Sequence, residues 1–265
     1  MRKYLYYIKN SMLIGLSYRV YFFVSILTNI ISIVLYYYMW LAVYDFDKKK
    51  VINGSTFSET FSYVVIAMGI YSFLQVWLEW RIQPDVISGN ISVKLIKPID
   101  YQFSLLSEAL GASINNFIAI TIPTLVLVLI ISPSGIVLGR NIFFFVISMI
   151  FSYFLNFCID FIIGLTAFYT ESIWGISTTK EAIVLFLSGA VIPLYFFPEK
   201  IRTVIEMLPF RYIYNVPIQM LQNSYGSTSQ MFTAVFMQLF WTIVLICISR
   251  IMYLCIVKKL MVNGG

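Results

Sequence analysis

Several stretches of this chain stay apolar for longer than a bilayer is thick, and that decides the solvent it folds in. A helix needs roughly 20 apolar residues to cross the hydrocarbon core. Val20 to Tyr44 supplies that length without one Asp, Glu, Lys or Arg. Over all 265 residues 60% are hydrophobic and 11% charged, too little charge to cover the surface of a water-soluble domain of this size. The expectation is an all-α polytopic integral membrane protein, a single transmembrane domain over 1–265.

Six spans are expected, at Val20–Tyr44, Glu59–Glu79, Ser104–Ile131, Asn141–Tyr169, Trp174–Tyr195 and Met231–Val257. Pro123 falls inside the third, where a kink is tolerated if neighbouring helices satisfy the freed carbonyl, and Ser132–Gly135 reads as a turn. Ahead of the spans, 1–19 carries Arg2, Lys3, Lys9 and Arg19 and no acid. Leu5, Ile8, Met12 and Leu16 recur there at helical spacing, which suits an amphipathic helix lying in the membrane interface. The apolar run that follows is too long for a cleavable signal. An even span count puts both termini on one side. Placing them in the cytoplasm gives eleven Lys and Arg inside against seven outside, the sense expected of loop charges.

Composition also excludes functions. The net charge of +6 is scattered over span ends with no basic face to follow phosphates, so nucleic acid is not expected and anionic lipid suffices as partner. Cys158, Cys247 and Cys255 lie inside apolar runs without CxxC spacing, which indicates neither disulfides nor a zinc site. With no histidine in the chain, Ser-His-Asp and Cys-His catalysis and His-ligated metals are out of reach.

Three features remain. The first is 81–103, the longest polar interruption of the first half, expected as a cytoplasmic loop with a turn at Asp85–Gly89. It continues into a short helix whose Ile91, Leu95 and Ile99 form one apolar edge while Lys94 and Lys97 project elsewhere. The second is 188–230, too apolar for a free loop and too proline-rich for one helix. Ile201, Val204, Ile205 and Leu208 make a stripe there, which fits either a helix dipping into the outer leaflet or an ordinary amphipathic surface helix. The third is Asp160, expected mid-span in the fourth helix. With Tyr153, Asn156 and Gly164 it forms a polar stripe at three- and four-residue spacing that turns toward a substrate pathway or toward a partner helix.

The six-span layout, S-G-N-I-S-V-K-L-I-K-P-I-D-Y-Q-F after span 2 and I-P-L-Y-F-F-P with L-P-F-R-Y-I-Y-N-V-P before span 6 together resemble the ABC-2 type permeases, in particular bacterial stand-alone permease subunits. That resemblance implies an exporter half in the bacterial cytoplasmic membrane, paired with a second copy or a sister permease. It implies coupling to a soluble ATPase through Pro84, Ile87, Ser88, Gly89, Ile91, Lys94, Leu95, Lys97, Pro98 and Asp100. It further implies an extracellular cap containing Pro193, Phe197, Pro198, Pro209 and Pro217. No G-x-x-x-x-G-K-[ST] occurs in the chain, so ATP and Mg belong to the partner and no cofactor is expected here. An aromatic and apolar lining is consistent with a drug, lipid or peptide substrate. Two other classes compete: a non-transporting membrane scaffold or immunity protein, and an intramembrane enzyme, which lacks a visible catalytic set.

Overall fold

The computed structural model describes residues 2–131, 136–137, 139–170 and 172–263; the turn expected at Ser132–Gly135 lies outside them. Five helical stretches among the described residues are long and apolar enough to cross a membrane: Phe22–Val43, Phe57–Ile87, Tyr101–Ile130, Asn141–Phe168 and Thr228–Lys258. Helix α1 (Arg2–Ser17) leads into α2 (Arg19–Val43). The loop after α2 is not all irregular. Val51–Ile52 pairs antiparallel with Ser55–Thr56 around Asn53 and Gly54, both at positive φ, the turn chemistry that Asn-Gly favours in tight hairpins. Thr56 and Glu59 then form a reciprocal capping box that starts α3 (Phe57–Leu74).

The span expected over Glu59–Glu79 ends earlier. The helix stops at Leu74, the chain runs through an extended Gln75 and a left-handed Trp77 (φ 51°), and α4 starts at Glu79. Segments α4 (Glu79–Ile87) and α5 (Asn90–Ile96) convert most of the expected loop into two short helices. The turn expected over Asp85–Gly89 is confined to Ser88 and Gly89, because Asp85 to Ile87 continue α4. Next come α6 (Tyr101–Asn116), a π-type turn over Phe117–Thr121, and α7 (Ile122–Ile131). The widened turn stands just before Pro123, where an ordinary i to i−4 ladder would clash with the ring.

Helix α8 (Asn141–Leu165) is followed by α9 (Trp174–Leu187), which is 14 residues long, about 21 Å at 1.5 Å per residue and short of a full crossing. The expected fifth span is therefore this helix plus irregular chain. A 3-10 turn at Leu194–Phe196, α10 (Glu199–Met207), a second 3-10 turn at Pro209–Tyr212 and α11 (Asn215–Leu221) precede α12 (Thr228–Asn263).

The core sits where α3 and α8 pass through the middle of the bundle, with Ile66, Ile70, Leu155 and Phe161 fully enclosed and Val216 and Ile218 of α11 packed into them. Helix α1 packs on α6 through a polar seam that leaves part of its apolar stripe on the outside. Leu5 and Leu16 are exposed, while Ser11 donates from Oγ to the Glu108 carbonyl (2.7 Å) and Asn115 Nδ2 donates to the Met12 carbonyl (2.9 Å). The reason is close approach. A Cβ at Gly111 would collide with the Ile8 carbonyl, and one at Gly15 with the Asn115 amide, so small residues rather than large apolar ones define this seam.

Candidate functional site

Two ends of the bundle are distinguished by their cross-links. At the end carrying both termini, Asp100 caps α6 through Oδ1 (3.2 Å from Phe103 N) and pairs through Oδ2 with Arg250 of α12 at 2.6 Å. Its N–H donates to Tyr4 Oη of α1 (3.4 Å). Asp100 is thus a knot between three helices. Arg250 is the anchor of α12 in that knot.

From this end projects the hairpin of α4 and α5. Gly89 supplies the reversal with φ 73°, and since nothing lies within 4 Å of a Cβ built there, the requirement is the left-handed backbone and not space. Pro84 lies on the exposed face in the second turn of α4, and Ser88 Oγ donates back to its carbonyl at 2.6 Å. The orientation of α5 turns the expected apolar edge inward. Ile91 is buried (5% exposed) and Leu95 packs against the core, so that edge faces the protein itself, and Lys94 is occupied by an ion pair with Asp85. Tyr101 Oη also donates to Asp85 Oδ2 (3.3 Å). What the hairpin shows outward is Ile87 (62%), Val93 (60%) and Ile96 (84%), bordered by Lys97 and Pro98. Sequence periodicity identified a real apolar edge but could not say which of two edges the body of the protein would take.

The polar stripe of α8 is buried throughout. Tyr153 lies at 3.5 Å from the Ser113 hydroxyl, and Asn156 Nδ2 donates to the Leu74 carbonyl (3.2 Å) and to Asp160 Oδ2 (3.1 Å). Gly164 admits Ile82 of α4 so closely that a Cβ there would overlap its side chain. Asp160, five residues from the end of α8, is nearer the termini-bearing end than the middle. It is not alone. Lys180 of α9 reaches between two carboxylates, 2.8 Å from Asp160 Oδ1 and 2.9 Å from Glu79 Oε1 at the start of α4.

Ser177 Oγ adds a hydrogen bond to Glu79 Oε1 at 2.7 Å. Glu79 Oε2 is buried without a partner among the described residues, so the trio has one negative charge in excess and one acceptor open. Ion pairing of this kind is what makes a charge in an apolar span affordable. Glu79 closes the span expected at Glu59–Glu79, and Lys180 lies near the start of the one expected at Trp174–Tyr195. The signal available was Lys180 in the polar first half of α9, beside Glu181 and after Ser177, Thr178 and Thr179, since a cation within a spanning bundle calls for a carboxylate partner.

The opposite end is closed by the proline-rich segment. Pro193 is buried, Pro198 opens α10, Pro209 starts a 3-10 turn, and Pro217 lies buried in the first turn of α11. At such N-terminal positions the missing N–H costs nothing. Phe197 stacks edge-on against Phe186 (5.0 Å). Of the expected stripe on α10 only Ile205 is fully buried; Ile201 and Val204 are exposed and Leu208 lies outside the helix. Polar side chains of the spans hold the segment down. Gln238 Nε2 donates to the Tyr212 carbonyl (2.8 Å), Ser152 Oγ to the same carbonyl (3.1 Å), Asn141 Nδ2 to the Met220 carbonyl (3.0 Å), and Asn215 Nδ2 to Tyr63 Oη (3.0 Å).

A hairpin at one end, a helical cap at the other and long spans between them coincide with a match to a family model described as ABC-2 family transporter protein, over residues 30–264. The chain belongs to the ABC-2 transporter family. ABC-2 permeases are transmembrane subunits that carry no ATPase of their own and work with an ATP-binding subunit. In this ABC-2 chain the matched region takes in all of α3 to α12 and the second half of α2, and α1 lies ahead of it. No curated protein and no solved structure matches the chain.

Proposed function

We propose that this chain is the permease of an exporter powered by a separate ATPase, moving a hydrophobic or amphipathic substrate (drug, lipid or peptide) outward from the cytoplasmic membrane as one half of a permease pair. The observation that carries the reading is the α4–α5 hairpin, which exposes Ile87, Val93 and Ile96 while its root is clamped to α8 and α9 by Glu79, Lys180 and Asp160. Exposed apolar side chains at the tip suit a cleft in a soluble subunit. A buried clamp at the root makes displacement of the tip a displacement of spanning helices, since packed elements shift as units.

Pairing is supported by α2, whose most apolar window is only 6% buried within one copy, leaving lipid or a second permease to cover it. The outward direction is supported by the cap at the end remote from the hairpin and by the charge bias that puts both termini in the cytoplasm. The stripe from Tyr153 to Gly164 acts in this reading as the wall that transmits the clamp and not as a surface washed by substrate. Co-purification tests the proposal: the intact permease retains a soluble subunit bearing G-x-x-x-x-G-K-[ST] whose ATP hydrolysis the permease alters, whereas a scaffold, an immunity protein or an intramembrane enzyme retains none.

A further inference from the structure

A cavity of about 530 Å³ lies at the termini-bearing end between α1, the start of α2, the break after α3, and α6. Its size is within the range of small-molecule sites. Its lining is graded. Arg81 and Glu108 stand at one end, Gln75 and Asn116 in the middle, and Phe22 and Ile120 at the other. From Glu108 in α6 to Ile120 in the widened turn is 12 residues, about 18 Å, over half the roughly 30 Å of a bilayer's hydrocarbon core. The lining thus passes from charged to apolar over a distance that matches the step from headgroup to acyl chain. The widened turn at Phe117–Thr121 forms part of that apolar wall, and such turns recur at functional sites.

Two details point to a ligand. Gln75 is 9% exposed, and its Nε2 has no hydrogen-bond partner among the described residues, an expense a buried amide rarely carries without something to donate to. Arg81 Nη1 and Glu108 Oε2 are 3.8 Å apart and both side chains are partly open, a loose pair in which the guanidinium keeps further donors and the carboxylate further acceptors.

We propose that this cavity holds the polar end of a glycerophospholipid whose headgroup carries both phosphate and ammonium. Arg81 takes the phosphate in the fork geometry that guanidinium offers, and Glu108 takes the ammonium. Gln75 Nε2 donates to an ester carbonyl at the depth where headgroup gives way to chain, and the acyl chains leave past Phe22 and Ile120 into the bilayer. The site requires only a membrane-embedded chain, so it stands whichever molecule is transported and whether or not an ATPase binds.

The test uses the full chain in detergent without any ATPase, offered equal amounts of phosphatidylethanolamine and phosphatidylglycerol, with retained lipid counted by native mass spectrometry. The expected result is at least about fivefold preference for phosphatidylethanolamine. Glu108→Gln brings the ratio near one, and Gln75→Leu lowers retention of both lipids with the ratio unchanged. Equal retention by the unaltered chain, or a Glu108→Gln protein that keeps the preference, overturns the proposal. Should Glu108→Gln fail to fold, quenching of tryptophan fluorescence decides. Trp77 lines the cavity, so brominated phosphatidylethanolamine quenches the unaltered chain more than brominated phosphatidylglycerol does, and the difference disappears in Trp77→Phe. Equal quenching by the two lipids also overturns it.

Discussion

Lys180 is the side chain on which the most depends. Two carboxylates share its one ammonium in a buried setting, so Lys180→Met leaves two charges with no counterion, a loss of about 3–5 kcal/mol for breaking such a group from one side. Asp160→Asn instead balances the site at one acid to one base and keeps the shape that Asn156 binds. Thermal unfolding of the detergent-solubilised protein should therefore rank Lys180→Met well below Asp160→Asn, with the latter close to the unaltered protein; the reverse order contradicts the clamp. Asp160 was legible in the sequence as an acid needing company, but its partners were not. They lie 20 and 81 positions away, and single-chain periodicity carries no information about which helices meet.

At the scale of elements, apolar length was enough to locate α2, α6, α8 and α12, because in a bilayer only a helix satisfies its own backbone. Boundaries inside polar stretches were not legible. The second span is expected to run on to Glu79, yet the break comes at Gln75–Trp77 and Glu79 begins α4. Which edge of α5 faces the body was not legible either, because burial by the chain's own body competes with burial by a partner. A contrast follows. Ile96→Asp places a charge at the exposed tip (84%) and should cost at least tenfold in affinity for the ATP-binding subunit, the effect of about 1.5–3 kcal/mol for one aliphatic side chain, with normal permease yield. Leu95→Asp should lower the yield or thermal stability of the permease itself, because Leu95 packs inward. Equal ATPase binding by the Ile96→Asp protein would show that the outward edge is not the docking edge. Gly111→Val, whose β-carbon has no room against the Ile8 carbonyl, should release and unwind α1 and so speed tryptic cleavage after Lys9, which in the unaltered chain is exposed but held in a helix.

Across the whole molecule, the two ends of the bundle carry different devices, and the proposed function puts the termini-bearing end in the cytoplasm. In a background with Cys158, Cys247 and Cys255 replaced, a cysteine at Ser227, exposed beside the start of α12, should react with an impermeant thiol reagent in intact cells. One at Ser92 on α5 should react only after lysis. Labelling of Ser92 in intact cells would reverse the topology. The family was legible before any geometry because its marks, a polar hairpin after the second span and a proline-rich segment before the last, are features of whole-chain order. The fifth span was less so, since Trp174–Leu187 is too short for length alone to count it.

Energy transfer through the α4–α5 hairpin is the core of the account, and site-specific photo-crosslinking from position 96 tests it most directly. With a photoreactive residue in place of Ile96, irradiation of membranes should give an adduct between the permease and a chain containing G-x-x-x-x-G-K-[ST], while the same residue in place of Val204, at the capped end, gives none. Loss of the position-96 adduct in favour of lipid alone, or an ATP-binding chain captured from position 204 and not from 96, would contradict it.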